Sequence, residues 1–318
     1  MNSLFTYPLP IKIGTRKSPL ALAQAFEVRD SLIKHYPFLS QTGAIQIVAI
    51  KTTGDRFLQP LSNLGGKGLF TKEIEEALIN KTIDLGVHSM KDMPTELPLE
   101  LELSSFLPRA DPHDVLFSSQ GKSLKDLPPY TIVGTSSLRR QALILAQRPD
   151  LQIKSLRGNI ETRLQKLSQG EVGAIVLAVA GLHRLHKNMD KATILSFDEM
   201  LPAVAQGAIG IEIRQDNFAL KELLSPLDDL KTRHQITAER ACLAELDGSC
   251  KTPIAAYAEL ISDHTLHLKV LIAMPDGSII EKEEELGSCT HAEELGRKLG
   301  KKLKSRLGKK FDQFRFKD

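Results

Sequence analysis

IKIGTRKSPLALAQAFEVRDSLIKHY, residues 11–36, decides the fold. Its opening, IKIGTR (11–16), reads as a strand, and LALAQAFEVRDSLIKHY (20–36) carries the apolar period of a helix. Between them Ser18 stands before Pro19, an N-cap serine followed by proline at the first helical position. The order is strand, turn, helix, and it recurs along the chain. QIVAIKTTGD (46–55) reads as a strand, GGKGLFTKEIEEALINK (65–81) as a glycine loop feeding a helix, and DLGVHS (84–89) as a third strand. YTIVGTSSLRRQALILAQRP (130–149), QIKSLRGNIETRLQKLSQG (152–170) and GAIVLAVAGLHRL (173–185) continue the pattern. Strands alternating with helices predict α/β domains with largely parallel sheets.

The strand–helix units fall into two series of similar layout, about 11–107 and 113–205, without sequence identity at a fixed period. Beyond residue 228 the pattern changes to a helix, TRHQITAERACLAEL, then hairpin-like strands with a Pro-Asp-Gly turn at 275–277. A third, smaller α+β domain is expected there. Two or three domains also suit a length of 318 residues. The basic C-terminal run keeps Leu295, Leu299, Leu303 and Leu307 at i, i+4 spacing, which predicts an amphipathic helix with a solvated basic face rather than a nucleic-acid tail. Hydrophobic content of 42%, charged content of 25% and a net charge of +3 are ordinary for a globular protein. No apolar run is long enough to span a bilayer, and MNSLFTYPLPIKIG does not follow an export-signal pattern. Cys242, Cys250 and Cys289 match neither a metal motif nor a disulfide framework, so no metal and a reduced, cytoplasmic setting are expected.

In open α/β sheets, ligands gather at the carboxyl ends of strands. Here those ends read Thr15-Arg16-Lys17-Ser18, Thr52-Thr53-Gly54-Asp55, His88-Ser89-Met90-Lys91-Asp92, Thr135-Ser136-Ser137-Leu138-Arg139-Arg140 and Leu156-Arg157-Gly158-Asn159. Helix N-termini and arginine forks both suit anions, so repeated cationic strand ends point to a ligand with many negative groups. A lone arginine is usually a surface ion pair. Arg139 and Arg140 are adjacent and diverge by roughly 100° on a helix, which argues against both sharing one carboxylate and for at least one facing a ligand. GGKGLF lacks both P-loop and dinucleotide-fold spacing, leaving a loop with one candidate lysine, Lys67. Cys242 reads as a packed core residue, whereas Cys250, between Gly248 and Pro253 and beside Lys251, is the better candidate for a reactive thiol. Asp92 is either a turn cap before Pro94 or a carboxylate that stabilises a cation, and His88 is either a base or a structural hydrogen-bonding residue.

Together, IGTRKSPLALAQA, GGKGLFTKEIEEAL, VHSMKDMP, VGTSSLRRQ, LRGNIETRL, LAVAGLHRL, LPAVAQGAIGIE and AERACLAELDGSCKTPI closely resemble the porphobilinogen deaminases (hydroxymethylbilane synthases) over nearly the whole chain. The resemblance implies two α/β domains with mixed sheets, like type II periplasmic binding proteins, with the active cleft between them, plus a small α+β domain. Domain 1 would span 1–108, completed by 208–226; domain 2 would span 109–207 and domain 3 227–318. It implies an enzyme that joins four porphobilinogen molecules head to tail with loss of ammonia and releases a linear tetrapyrrole by hydrolysis. It also implies a dipyrromethane cofactor held by a thioether to Cys250, with Lys91, Ser137, Arg139, Arg140, Arg157 and Asn159 around it. Arg16, Ser18, Lys67, Arg163 and Gln206 become substrate-binding residues, and Asp92 the catalytic carboxylate. Asn63, where many members carry lysine, and Ser249, where glycine is common, depart from the family pattern. A monomer without nucleic-acid or membrane partners is expected. The alternative reading is a non-catalytic, two-domain anion-binding protein.

Overall fold

The computed structural model describes residues 7–56, 68–246, 248 and 252–308, with the side chains of 55 and 56 left out. In chain order the first elements are β1 (Ile11–Arg16), α1 (Pro19–His35), β2 (Ile45–Ile50), α2 (Thr53–Arg56), α3 (Lys72–Ile79), β3 (Leu85–Ser89) and β4 (Leu101–Phe106). Next come β5 (Asp114–Ser118), β6 (Ile132–Gly134), α4 (Leu138–Gln147), β7 (Gln152–Lys154), α5 (Ile160–Ser168), β8 (Ala174–Ala178), α6 (Val179–Arg184) and β9 (Ala192–Ile194). The chain ends with β10 (Ile209–Arg214), α7 (Phe218–Leu224), α8 (Leu230–Glu245), β11 (Ile254–Ser262), β12 (Thr265–Ala273), β13 (Ile280–Ser288) and α9 (Ala292–Leu307).

The chain divides into two compact units, Met1–Phe57 with Gly68–Arg109 and Ala208–Arg233, and Leu58–Lys67 with Ala110–Gly207 and His234–Asp318. The first holds a five-stranded sheet in the order β2-β1-β3-β10-β4. Here β1 runs parallel to β2 and β3, while β10 lies antiparallel between β3 and β4. Sequence periodicity suggests largely parallel sheets, and β10 departs from this because it arrives from a distant part of the chain. Ile11, Ile13, Leu85, Val87, Ile209 and Ile211 pack with Ala25, Val28 and Leu32 of α1 to form its core. The helix forms as its sequence predicts, with Ser18 Oγ accepting from Ala21 N and Pro19 in the first turn.

The second unit contains a five-stranded sheet, β7-β6-β8-β5-β9, and a three-stranded antiparallel sheet, β11-β12-β13. The five-stranded sheet is also mixed, with β6 parallel to β7 and β8, and β5 antiparallel to β8 and β9. This makes an α/β architecture of two mixed sheets with a small α+β element, the expected fold class. On α9, Leu295, Leu299, Leu303 and Leu307 are all buried. Its Lys298 and Lys302 both pair with Glu285 of β13, and Arg306 pairs with Glu281 and Glu283, so these cations are neutralised within the unit.

The Pro-Asp-Gly turn docks on α4. Gln141 Nε2 donates to Pro275 O at 3.1 Å. Gly277 has φ +74°, and a Cβ there would stand 2.4 Å from Ala146 N and 2.7 Å from Ala142 O. Left-handed backbone costs a non-glycine residue about 1–2 kcal/mol, and overpacking against rigid helical backbone adds about 1–3 kcal/mol. Gly277→Ala is therefore expected to destabilise the protein by about 2–4 kcal/mol in urea unfolding. Unchanged stability would mean that the turn moves off α4 freely.

Candidate functional site

In the first unit, β1 and β3 are parallel neighbours, so their carboxyl ends reach the same sheet edge. Arg16 ends β1, Ser18 caps α1, and β3 runs through His88 and Ser89 into a single 3-10 turn, Met90–Asp92. Arg16, Ser18, His88, Ser89 and Asp92 line an open pocket with Gln24, Phe70, Thr71 and Lys91. Arg16 Nη1 lies 3.7 Å from Asp92 Oδ2, and its guanidinium stacks over the Phe70 ring at 4.2 Å. An acid and cations thus face one cavity with an aromatic wall, a setting for a flat ligand that carries carboxylates and develops positive charge.

The turn that carries Asp92 is held on several sides. Ser89 Oγ lies 2.7 Å from Gln24 Nε2 and 3.1 Å from Gln24 Oε1. Met90 N donates to Ala208 O at 3.1 Å. His88 Nε2 is 3.0 Å from Glu212 Oε2 on β10, with both side chains buried. Residue chemistry alone left Gln24, Phe70, Ser89 and Glu212 unassigned. Gln24 carried a readable signal: a glutamine on the buried stripe of α1, in line with Ala21, Ala25, Val28 and Leu32.

In the second unit, β6 and β7 are parallel with Gly134 beside Lys154, which brings the following loops together. Ser136 Oγ lies 3.0 Å from Ser155 Oγ and donates to Leu156 O at 3.0 Å. Ser137 caps α4 through Arg140 N, and Asn159 caps α5, its Oδ1 accepting from Thr162 N at 2.9 Å. Gly158, at φ +112°, bends the loop so that Arg163 Nε donates to its carbonyl at 2.9 Å. Arg157 follows β7 in the same loop, and burial pushes its guanidinium down from its ordinary range.

Arg139 and Arg140 overturn the expectation that adjacent arginines do not share one carboxylate. Arg139 Nη2 meets Asp114 Oδ2 at 2.6 Å and Arg140 Nη2 meets Oδ1 at 2.8 Å. Both guanidiniums bend back from α4 onto β5, one to each carboxylate oxygen. Their Nη1 groups donate to Leu201 O and Val176 O. Gln206 joins the cluster, its Nε2 donating to Asp114 Oδ1 at 2.9 Å and to Pro112 O at 2.8 Å. Burial alone would raise the Asp114 carboxyl, but the two guanidiniums outweigh it and hold that carboxyl well below the usual carboxylate range. Nε of Arg139, Arg140 and Arg157 is buried without an acceptor among the described residues.

Cys242 is a buried free thiol that burial pushes up to about 12, as an inert core residue should be. Lys67, Cys250, Asn63 and Ser249 lie outside the described residues. Among the described residues no cluster of metal-ligating side chains occurs, and no helix is long and apolar enough to cross a membrane.

These features define an α/β protein whose strand ends in the first unit place cations beside a carboxylate in one pocket. The family model "Porphobilinogen deaminase, dipyromethane cofactor binding domain" matches residues 11–222, and "Porphobilinogen deaminase, C-terminal domain" matches 234–305. The chain is 51% identical to the chloroplastic porphobilinogen deaminase of Pisum sativum over 95% of its own length and 83% of the relative's. It is 50% identical to the porphobilinogen deaminase of Nitrobacter winogradskyi, over 94% of each chain. Among solved structures, a putative periplasmic sulfonate-binding protein, SsuA, from Methylobacillus flagellatus is similar at 14% identity, TM-score 0.36, covering 72% of this chain and 66% of that one. The chain belongs to the porphobilinogen deaminase family.

Proposed function

We propose that this chain joins four porphobilinogen molecules head to tail, releases an ammonia at each step, and frees the product, hydroxymethylbilane, by hydrolysis. The observation that carries this reading is Asp92, facing a pocket beside Arg16 and Lys91. Porphobilinogen carries an acetate and a propionate, and loss of its ammonia leaves an electron-poor pyrrole cation. A carboxylate beside the pyrrole nitrogens stabilises that cation, and Asp92 takes this role. Arg16, Ser18 and Lys67 bind substrate carboxylates, and Arg163 and Gln206 are also assigned to substrate.

Dipyrromethane also carries carboxylates, and the residues present fit it. The N-caps of α4 and α5 and the unsatisfied Nε donors of Arg139, Arg140 and Arg157 form an anion-seeking set. Lys91, Ser137, Arg139, Arg140, Arg157 and Asn159 would hold the cofactor, with Cys250 as its covalent anchor. When bound, it supplies the pyrrole carbon to which the first substrate is joined. We assign domain 1 to 1–108 with 208–226, domain 2 to 109–207 and domain 3 to 227–318, in a cytoplasmic monomer. The paired cations of α9 favour this over a nucleic-acid-binding role.

Intact-protein mass tests the reading. The protein is expected to exceed its sequence mass by two pyrrole units, and Cys250→Ala to lose that increment together with activity. An unmodified, fully active protein would overturn the assignment.

A further inference from the structure

His88 is unexplained by any substrate role, yet its surroundings are built around it. In β10, Glu212 stands opposite Gly86 of β3. Gly86 leaves room for the imidazole, since a Cβ there would come within 2.9 Å of His88 Nε2. Glu212 Oε2 then meets Nε2 at 3.0 Å. From α3, Glu75 approaches the same pair; burial pushes its carboxyl up, the Glu212 charge adds to this, and His88 opposes it. The groups facing the imidazole are therefore Glu212 from β10 and Glu75 from α3, with Arg16, Lys91 and Asp92 on the pocket side. An uncompensated buried charge is costly. The direct His88–Glu212 contact gives both of these buried side chains a hydrogen-bond partner.

We propose that Glu212 and His88 are positioning residues for Asp92, anchoring the end of β3 so that the Met90–Asp92 turn presents its carboxylate to the pocket. The inference rests on the catalytic reading of Asp92. The rest of the turn is fixed in the same way, Ser89 by Gln24 and Met90 by Ala208 O. A Cβ on Gly210 would come 2.2 Å from Met90 Sδ, so the methionine seats directly on β10 backbone. His88 is the link in this series that reaches a side chain of β10.

The test uses cofactor-loaded enzyme. Glu212→Gln keeps side-chain size and removes the charge, and a misplaced catalytic group costs on the order of 10²-fold in rate. We expect kcat to fall by about that factor with KM within about twofold. A Glu212→Gln loss that appears in KM rather than kcat, or that follows the melting temperature, overturns the proposal. If Asp92→Asn turns over normally, the catalytic reading itself fails. If Asp92→Asn is impaired while Glu212→Gln is normal, only the present inference fails.

Discussion

Asp92→Asn is expected to leave porphobilinogen binding near normal and to lower kcat by about 10²–10³-fold. Asparagine keeps the shape of the turn and removes the charge. On the proposed reading, substrate carboxylates meet the cationic side chains, which the change leaves in place, so KM should move little. The developing cation, by contrast, loses its counter-charge at the moment it forms, and that loss appears in kcat. Folding should be nearly untouched, because the Arg16–Asp92 contact is long, at 3.7 Å, and both side chains are partly solvated, at 23% and 32% exposure. Ion pairs of that kind contribute about 0–1 kcal/mol. Steady-state kinetics on cofactor-loaded enzyme, with a melting curve alongside, separates the two effects. Turnover within a few-fold of wild type would remove Asp92 from the chemistry.

Asp114→Asn should act in the opposite way, on stability first. Asp114 is fully buried, and Arg139 and Arg140 are only 4% and 6% exposed. Removing the carboxylate charge leaves two guanidiniums in the interior without their counter-ion. Breaking a buried ion pair from one side costs about 3–5 kcal/mol, and with two cations stranded the upper part of that range is expected in urea unfolding. The same cluster predicts acid lability. A carboxyl lowered in the folded state contributes stability that is fully present above its unfolded pKa of about 3.9. That contribution is lost progressively as pH falls below this value toward the lowered folded one. The wild-type melting temperature should thus drop steeply below about pH 4, and Asp114→Asn should flatten that part of the curve. A variant as stable as wild type would show that the arginines find other acceptors.

The cluster also shows how two adjacent helical arginines come to share one carboxylate. Successive helical positions do diverge, but arginine is long, and its fork reaches back past the direction in which its own backbone points it. A carboxylate offers two oxygens, and Asp114 gives one to each guanidinium. Asp114 precedes them by 25 and 26 residues, on a strand that sequence periodicity did not single out. His88 and Glu212 repeat the lesson at a separation of 124 residues. Nothing local to VHSMKDMP announces the acid that holds its histidine.

Much else was legible because it is local. Ser18 before Pro19 caps α1, as its spacing requires. The leucines of α9 lie on one buried face because their spacing follows the helical turn. The strand–turn–helix units and the α/β class follow from two periodicities, 2 and 3.6, that each segment carries in itself. The amino-acid sequence alone therefore determined which segments become strands and helices, and its motifs determined the family. Tertiary structure decided the insertion of β10 between β3 and β4, the pairing of Asp114 with both arginines, and the anchoring of the Asp92 turn by Gln24 and Glu212. Those depend on which distant segments meet across a sheet, and a backbone pattern of period 2 or 3.6 carries no address for its partner.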